Sequence, residues 1–161
     1  MSDMRDLYEE VILDHNRNPR NFNRRPAGAN RSAHGFNPLC GDEFTIHLKV
    51  EDGVVKDVGF EGAGCAISTA SASLMTQVVK GKTEAEAEAL FEGMRVLLTD
   101  EAEHPETEHE LGKLTVLAGV KAYPMRVKCA TLAWHTLHAA LHDEQGTVCT
   151  EDTPDHHQCA L

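Results

Sequence analysis

The order of patterns along the chain predicts an α+β fold, in which a small antiparallel β-sheet packs against helices in a single domain. Three observations predict it. Apolar residues recur at helical spacing near the start, alternate with polar residues from about residue 44 to 61, and return to helical spacing from residue 65 onwards. A chain of 161 residues is long enough for one substantial core. We place the domain at residues 1–143 and predict a flexible polar tail over residues 144–161.

The first half of the chain predicts one helix, a long loop and a β-hairpin. Residues 3–15 carry apolar side chains at helical spacing, and the Asn- and Pro-rich residues 17–39 predict an irregular loop. Residues 44–50 alternate as in a half-buried strand. Asp52-Gly53 then favours a tight turn into a second strand, "VVKDVGFEG".

The second half predicts four helical segments, at about residues 65–79, 83–97, 111–120 and 127–142. Gly81 ends the first of them, and Thr83 with Glu86 forms a capping box for the next. The acidic, proline-interrupted segment "TDEAEHPETEHE" between the second and third predicts a solvated loop.

Composition limits the classes of partner. There are 26 acidic and 15 basic residues, a formal net charge of −11, which argues against nucleic acid because phosphate binding needs a basic surface. The charge is compatible with cations or with a protein that carries a basic patch. No apolar stretch approaches the length of a membrane span, and the first residues lack the features of a signal peptide. The sequence therefore predicts a cytoplasmic protein that does not bind membranes.

Five cysteines are present, and no two of them form a CxxC pair. In a reducing cytoplasm they are expected to be ligands, nucleophiles or buried thiols. Cys65 follows "EGAG" and opens a predicted helix, where the helix dipole favours a thiolate. Cys129 lies near the start of the last helix, close to Arg126, and Cys40 lies in a loop two residues before Asp42.

These three cysteines and Asp42 would supply a mixed sulfur and oxygen ligand set suited to tetrahedral zinc, and thiolates at loop ends also serve iron–sulfur clusters. Their spacing follows no general rule. The alternative hypothesis therefore stays open: buried apolar thiols and an aspartate that only shapes a turn. Cys149 and Cys159 fall in the polar tail, which we interpret as a dangling segment.

Four motifs carry a resemblance to a known family. The segments "LYEEVILDHNRNPRNF", "NPLCGD", "GAGCAIS" and "RVKCATLAW" occur in that order, and the chain resembles the IscU/NifU-N/SufU family of iron–sulfur cluster assembly proteins over residues 3–142. The match is closest to the SufU branch. An insertion at about residues 98–120 lengthens the chain as in SufU proteins, and Lys128 stands where IscU-type scaffolds carry a histidine.

The resemblance implies the fold of the family and a set of site residues. It implies a zinc ion held by Cys40, Asp42, Cys65 and Cys129. It further implies catalytic roles for Cys40, as the acceptor of sulfur, and for Arg126, as a basic residue near the site.

The function that the resemblance implies is that of a zinc-dependent sulfur acceptor, a sulfurtransferase that takes persulfide sulfur from a PLP-dependent cysteine desulfurase of the SufS type. Downstream iron–sulfur assembly proteins would be further partners. One alternative is a non-enzymatic scaffold on which a [2Fe–2S] cluster is assembled and transferred, and another is a structural zinc-binding interaction module. Of the proline-rich stretch that IscU proteins offer to a chaperone only Pro124 remains, so a chaperone partner is not predicted. We expect a monomer.

Overall fold

The computed structural model describes residues 3–38, 41–99, 112–142 and 147–149. Within these ranges the chain forms four α-helices, one 3-10 helix and four strands, and the predicted α+β class is confirmed. In chain order the elements are α1 (Asp3–Arg17), β1 (Arg31–Asn37), β2 (Asp42–Glu51), β3 (Val54–Ala63), α2 (Ala66–Val79), α3 (Glu84–Thr99), the 3-10 helix η1 (Gly112–Ala122), α4 (Pro124–Leu141) and β4 (Thr147–Cys149).

The sheet has the strand order β3-β2-β1-β4. The first three strands are antiparallel, with Ile46 at the centre of β2 opposite Phe60 on β3 and Ala33 on β1. Asp52 and Gly53 connect β2 to β3 with positive φ angles of 53° and 73°, as a two-residue hairpin turn requires. The hairpin predicted from the alternation is confirmed.

Strand β1 corrects the prediction of an irregular loop over residues 17–39. Its sequence, RSAHGFN, has little of the β-branched and aromatic character that usually marks a strand. The strand forms because it pairs with β2 along its whole length and because its inward positions are small. A Cβ atom on Gly35 would collide with Oγ1 of Thr136 on α4, so the absence of a side chain lets the helix lie close against the sheet.

Helix α4 is the element around which the core is arranged, because it packs against β1, β2, α2, α3 and η1. It carries buried Trp134 and Leu137 into the centre, where the sheet contributes Phe44, Ile46 and Phe60. The helix begins at Pro124, three residues before the predicted start. Proline is favoured at the first helical position because the N–H group that it lacks would have no partner there.

The capping box at the start of α3 is confirmed. The N–H of Glu86 donates to Oγ1 of Thr83 at 3.1 Å, and the N–H of Thr83 donates to Oε1 of Glu86 at 3.0 Å. The hydrogen bonds from Thr83 lower the pKa of Glu86, because they favour the charged carboxylate.

The remaining predictions agree with the structure only in part. A 3-10 helix at Gly112–Ala122 replaces the short helix predicted at residues 111–120. Most of the predicted acidic loop lies outside the described residues. Of the tail predicted to be flexible over residues 144–161, only Thr147–Cys149 is described, and it pairs in parallel with β1 instead of dangling. None of the described helices is both long enough and apolar enough to span a membrane.

The segment between α1 and β1 is tied to the sheet by one bidentate ion pair. Nη2 and Nη1 of Arg24 lie 2.5 Å and 2.7 Å from the two carboxylate oxygens of Asp57 on β3. Lys80 adds a longer contact of 3.4 Å. The guanidinium of Arg24 is the main cause that lowers the pKa of Asp57 to about 2. The carboxylate is therefore more stable as an anion in the folded protein than in the unfolded chain.

We expect Asp57→Asn to lower the free energy of unfolding at pH 7 by about 1–2 kcal/mol, since the half-exposed Arg24 limits the strength of the pair. The folded-state pKa is depressed, so the contribution of Asp57 is complete above the unfolded pKa of about 3.9. It is lost as the pH falls from there through about 2. Urea unfolding between pH 5 and pH 2 should show a shallower loss of stability in the variant than in the wild type. Equal slopes would contradict the assignment.

Gly35→Ala should destabilise the fold by about 2–3 kcal/mol, because the new Cβ overpacks the contact between β1 and α4. Denaturant unfolding measures the effect. The matched variant is Gly35→Ala with Thr136→Ala, in which the colliding hydroxyl is removed. If the two losses simply add, the collision with Thr136 is not the cause.

Candidate metal centre

Three of the four predicted ligands meet at one end of the sheet. Asp42 is the first residue of β2, Cys65 immediately precedes α2, and Cys129 lies in the second turn of α4. One ligand atom of each lies within 4.8 Å of the other two. Asp42 and Cys129 are buried, and Cys65 is half-buried. The fourth predicted ligand, Cys40, lies outside the described residues, so its membership of the site stays a prediction.

Asp42 is held by hydrogen bonds to both of its carboxylate oxygens. The backbone N–H of Cys65 donates to Oδ1 at 2.9 Å, and the hydroxyl of Ser68 donates to Oδ2 at 2.5 Å. The side chain is completely buried, and a buried carboxylate is tolerated only with such partners. Both bonds also fix its orientation towards the two cysteines.

Cys65 is the N-cap of α2. Its Sγ accepts a hydrogen bond from the backbone N–H of Ser68 at 3.4 Å and lies 3.8 Å from Oδ2 of Asp42. The chain can bring Cys65 this close because Gly64 precedes it. A Cβ at that position would lie 2.8 Å from the ring of Phe44 and 3.1 Å from Oδ1 of Asp42.

Helix α4 carries Cys129, the third predicted ligand of this cluster. Its Sγ is buried and lies 3.6 Å from Nδ2 of Asn37, at the end of β1. Its carbonyl oxygen lies 3.2 Å from the hydroxyl of Ser68. The end of β1, the start of α2 and the second turn of α4 therefore share one buried polar cluster.

The donor set fits zinc. Tetrahedral zinc places a sulfur donor and a carboxylate oxygen about 3.5 Å apart. The 3.8 Å between Sγ of Cys65 and Oδ2 of Asp42 lies close to that separation. Two thiols and one carboxylate supply three of the four ligands, and one further ligand would complete the tetrahedron.

Comparison with known proteins supports the same family as the sequence motifs. Residues 7–130 match the family described as the NifU-like N terminal domain. The chain belongs to this IscU/NifU-N family. The family is that of iron–sulfur cluster assembly proteins, so the predicted resemblance is confirmed.

Two relatives and one crystal structure show how much of this chain resembles known proteins. The iron–sulfur cluster assembly scaffold protein IscU of Thermotoga maritima is 44% identical over 135 residues, 84% of this chain and 92% of that protein. The zinc-dependent sulfurtransferase SufU of Bacillus subtilis is 38% identical over 143 residues, 87% of this chain and 92% of that protein. A SUF-system protein from Fervidobacterium islandicum superposes with a TM-score of 0.74 at 35% identity, covering 84% of this chain and 96% of the other.

Two residues of this IscU/NifU-N site were not predicted from the sequence. Ser68 contacts Asp42, Cys65 and Cys129 together, and Asn37 contacts the thiol of Cys129. The signal for Ser68 is its place three residues after a helix-capping cysteine, where the capped N–H is found. Asn37 is the first residue of the motif "NPLCGD", but the motif does not indicate its contact with Cys129, because that contact depends on how β1 and α4 pack.

Arg126 lies on the first turn of α4, exposed and three residues before Cys129. Burial is the main cause that raises the pKa of the half-buried Tyr8. Tyr123 and Cys65 raise that pKa further, and the positive charge of Arg126 opposes the rise. Tyr8 is therefore coupled electrostatically to both Cys65 and Arg126. The catalytic role of Arg126 stays a prediction.

Ser68→Ala should weaken zinc binding by about 10- to 100-fold, because it removes the hydroxyl that orients the carboxylate of Asp42. Competition with a chromophoric chelator measures the affinity. Ser71→Ala is the matched control, since Ser71 is also buried on α2 and donates to α4, to the carbonyl of Ala130 at 2.6 Å. Equal affinities in the two variants would show that Ser68 does not position a ligand.

Proposed function

We propose that this protein is a zinc-dependent sulfur acceptor in iron–sulfur cluster assembly, which takes persulfide sulfur from a cysteine desulfurase. The observation that carries the proposal is the cluster of Asp42, Cys65 and Cys129, whose ligand atoms lie within 4.8 Å of one another. Hydrogen bonds hold each of these three side chains in place. The name of the Bacillus subtilis relative, a zinc-dependent sulfurtransferase, supports it.

The residues that would hold the metal are Cys40, Asp42, Cys65 and Cys129. When bound, zinc supplies a positive charge that keeps the ligating thiols deprotonated. Asp42 supplies one oxygen donor that carries the same formal charge as a thiolate. Its two hydrogen bonds make Asp42 the ligand that stays in place.

Cys40 is the proposed nucleophile. Its thiolate attacks the outer sulfur of the persulfide on the desulfurase cysteine, a new S–S bond forms on Cys40, and the desulfurase cysteine leaves as a thiolate. The persulfide proton stays on the transferred sulfur, so no oxidant or reductant is consumed. The attacking species must be the thiolate, because exchange at sulfur is a nucleophilic displacement.

The link between Cys40 and Asp42 supports access by a partner. Gly41 is exposed, has a φ of +73° and has open space where a Cβ would stand. It also lines an open groove of about 510 Å³ on the sheet, together with Glu43 and Glu61. A partner loop that carries a persulfide can therefore approach this side of the site without displacing core residues.

The start of α4 supplies further features suited to a desulfurase. Tyr123 and Met125 are exposed, at 50% and 63% of their full surface, and Arg126 follows them. Exposed apolar side chains beside a cation are suited to protein contact, and Arg126 would steady the negative charge that passes from the Cys40 thiolate to the departing desulfurase thiolate. The partner would be a PLP-dependent desulfurase of the SufS type, with iron–sulfur assembly proteins downstream. We keep the expectation of a monomer.

A second candidate function is a scaffold for a [2Fe–2S] cluster. The scaffold name of the Thermotoga maritima relative and the cysteine-rich donor set favour it, since thiolates are the usual cluster ligands. The metal content of the protein purified without added metal separates the two. Near-stoichiometric zinc favours the sulfur acceptor, and a coloured, labile cluster favours the scaffold.

We expect Cys40→Ser to abolish stimulation of the cognate desulfurase, returning cysteine turnover to the rate of the desulfurase alone. Serine cannot carry a persulfide, so mass spectrometry should also find no added sulfur on the variant. A variant that still stimulates turnover as the wild type does would refute the sulfur-acceptor function.

The control is the replacement of both Cys149 and Cys159 by serine. These cysteines belong to the C-terminal segment and not to the proposed site, so turnover should stay within about two-fold of the wild type. A large loss would place part of the sulfur chemistry in that segment.

A further inference from the structure

A second group of metal-ligand side chains lies on the surface between α3 and α4. Glu88 projects from α3, His138 from the last turns of α4, and His142 caps the C-terminus of α4. One ligand atom of each lies within 4.8 Å of the other two. His138 is nine residues beyond Cys129, about 13 Å along the helix axis, so this group is distinct from the centre at Asp42.

The two histidines converge on a single carboxylate. Nδ1 of His138 lies 3.0 Å from both oxygens of Glu88, and Nε2 of His142 lies 3.1 Å from Oε1. Spacing of four residues places both imidazoles on one face of the helix. Tetrahedral zinc with nitrogen and oxygen ligands separates neighbouring donors by about 3.3 Å, so a metal ion needs only small movements of these side chains.

The surrounding residues hold this geometry in place. The ring of Phe91 stacks on His138 with centroids 4.5 Å apart and planes 16° from parallel, which fixes the orientation of the imidazole. Arg31 forms an ion pair with Glu84 on the first turn of α3 and donates to the carbonyl of Leu141 at 2.6 Å. It therefore ties the helix that carries Glu88 to the helix end that carries the histidines.

We propose that Glu88, His138 and His142 form a second, exchangeable binding site for a divalent transition metal ion of the zinc class. Two imidazoles and one carboxylate suit zinc and its neighbours in the transition series, whereas magnesium and calcium prefer oxygen ligands alone. The three side chains are 30–51% exposed, so water completes the coordination. The absence of thiolate makes this site weaker than the cysteine centre.

The test is a zinc titration by calorimetry of full-length protein already loaded with one equivalent. Wild type should bind a second equivalent. The double variant His138→Gln with His142→Gln should keep the first equivalent and bind the second at least about 10-fold more weakly, because even an outer partner of a metal ligand contributes that much. With cobalt as the probe, the second equivalent should add no thiolate-to-metal absorption band.

Two controls make the result decisive. His34→Gln removes an imidazole 2.7 Å from Glu43, a pair that is not part of a three-donor group within the described residues, and it should leave the second equivalent unchanged. His156→Gln with His157→Gln tests the C-terminal segment. The proposal is overturned if wild type binds no second equivalent in the hundred-micromolar range. It is equally overturned if the His138/His142 variant binds like wild type, or if only the C-terminal variant loses the ion.

Discussion

The buried carboxylate of Asp42 is the constraint on which the rest of the site depends. It lies at the start of β2 and accepts hydrogen bonds from Cys65, the N-cap of α2, and from Ser68 in the first turn of α2. Ser68 extends the contact to the backbone of α4. An unpaired carboxylate at this depth would be strongly unfavourable. The sheet, α2 and α4 must therefore pack in one relative orientation. That orientation also brings the thiols of Cys65 and Cys129 together.

The close packing of α4 on the sheet makes that position possible. Small residues on β1 let the helix approach, and its apolar face fills the centre of the core. A buried polar cluster is stable only when every member has a partner, and here the partners come from different segments of the chain. The metal centre and the core are consequently one structure, and a change in helix packing reaches the ligands directly.

The parts of the fold that depend on local pattern could be predicted from the sequence. The hairpin, the capping box at Thr83 and the helix opened by Cys65 each follow from a few neighbouring residues. Strand β1 could not be predicted, because its residues are weak strand formers and its stability comes from β2 and α4. The same reason explains the site. The candidate ligands stand in the quoted motifs together with Asn37 and Ser68, but the contacts that Asn37 and Ser68 make with the ligands exist only once distant segments have packed.

The short strand β4 has a consequence for the behaviour of the whole molecule in solution. Residues 147–149 lie along the outer edge of β1, whose backbone groups would otherwise be open to pairing with another chain. Strand β4 therefore covers this edge of the sheet and blocks its pairing with a strand of another chain. A shortened chain that ends before residue 147 would keep the cluster of Asp42, Cys65 and Cys129 but lose this cover of β1. Its solubility would therefore fall before its chemistry changed.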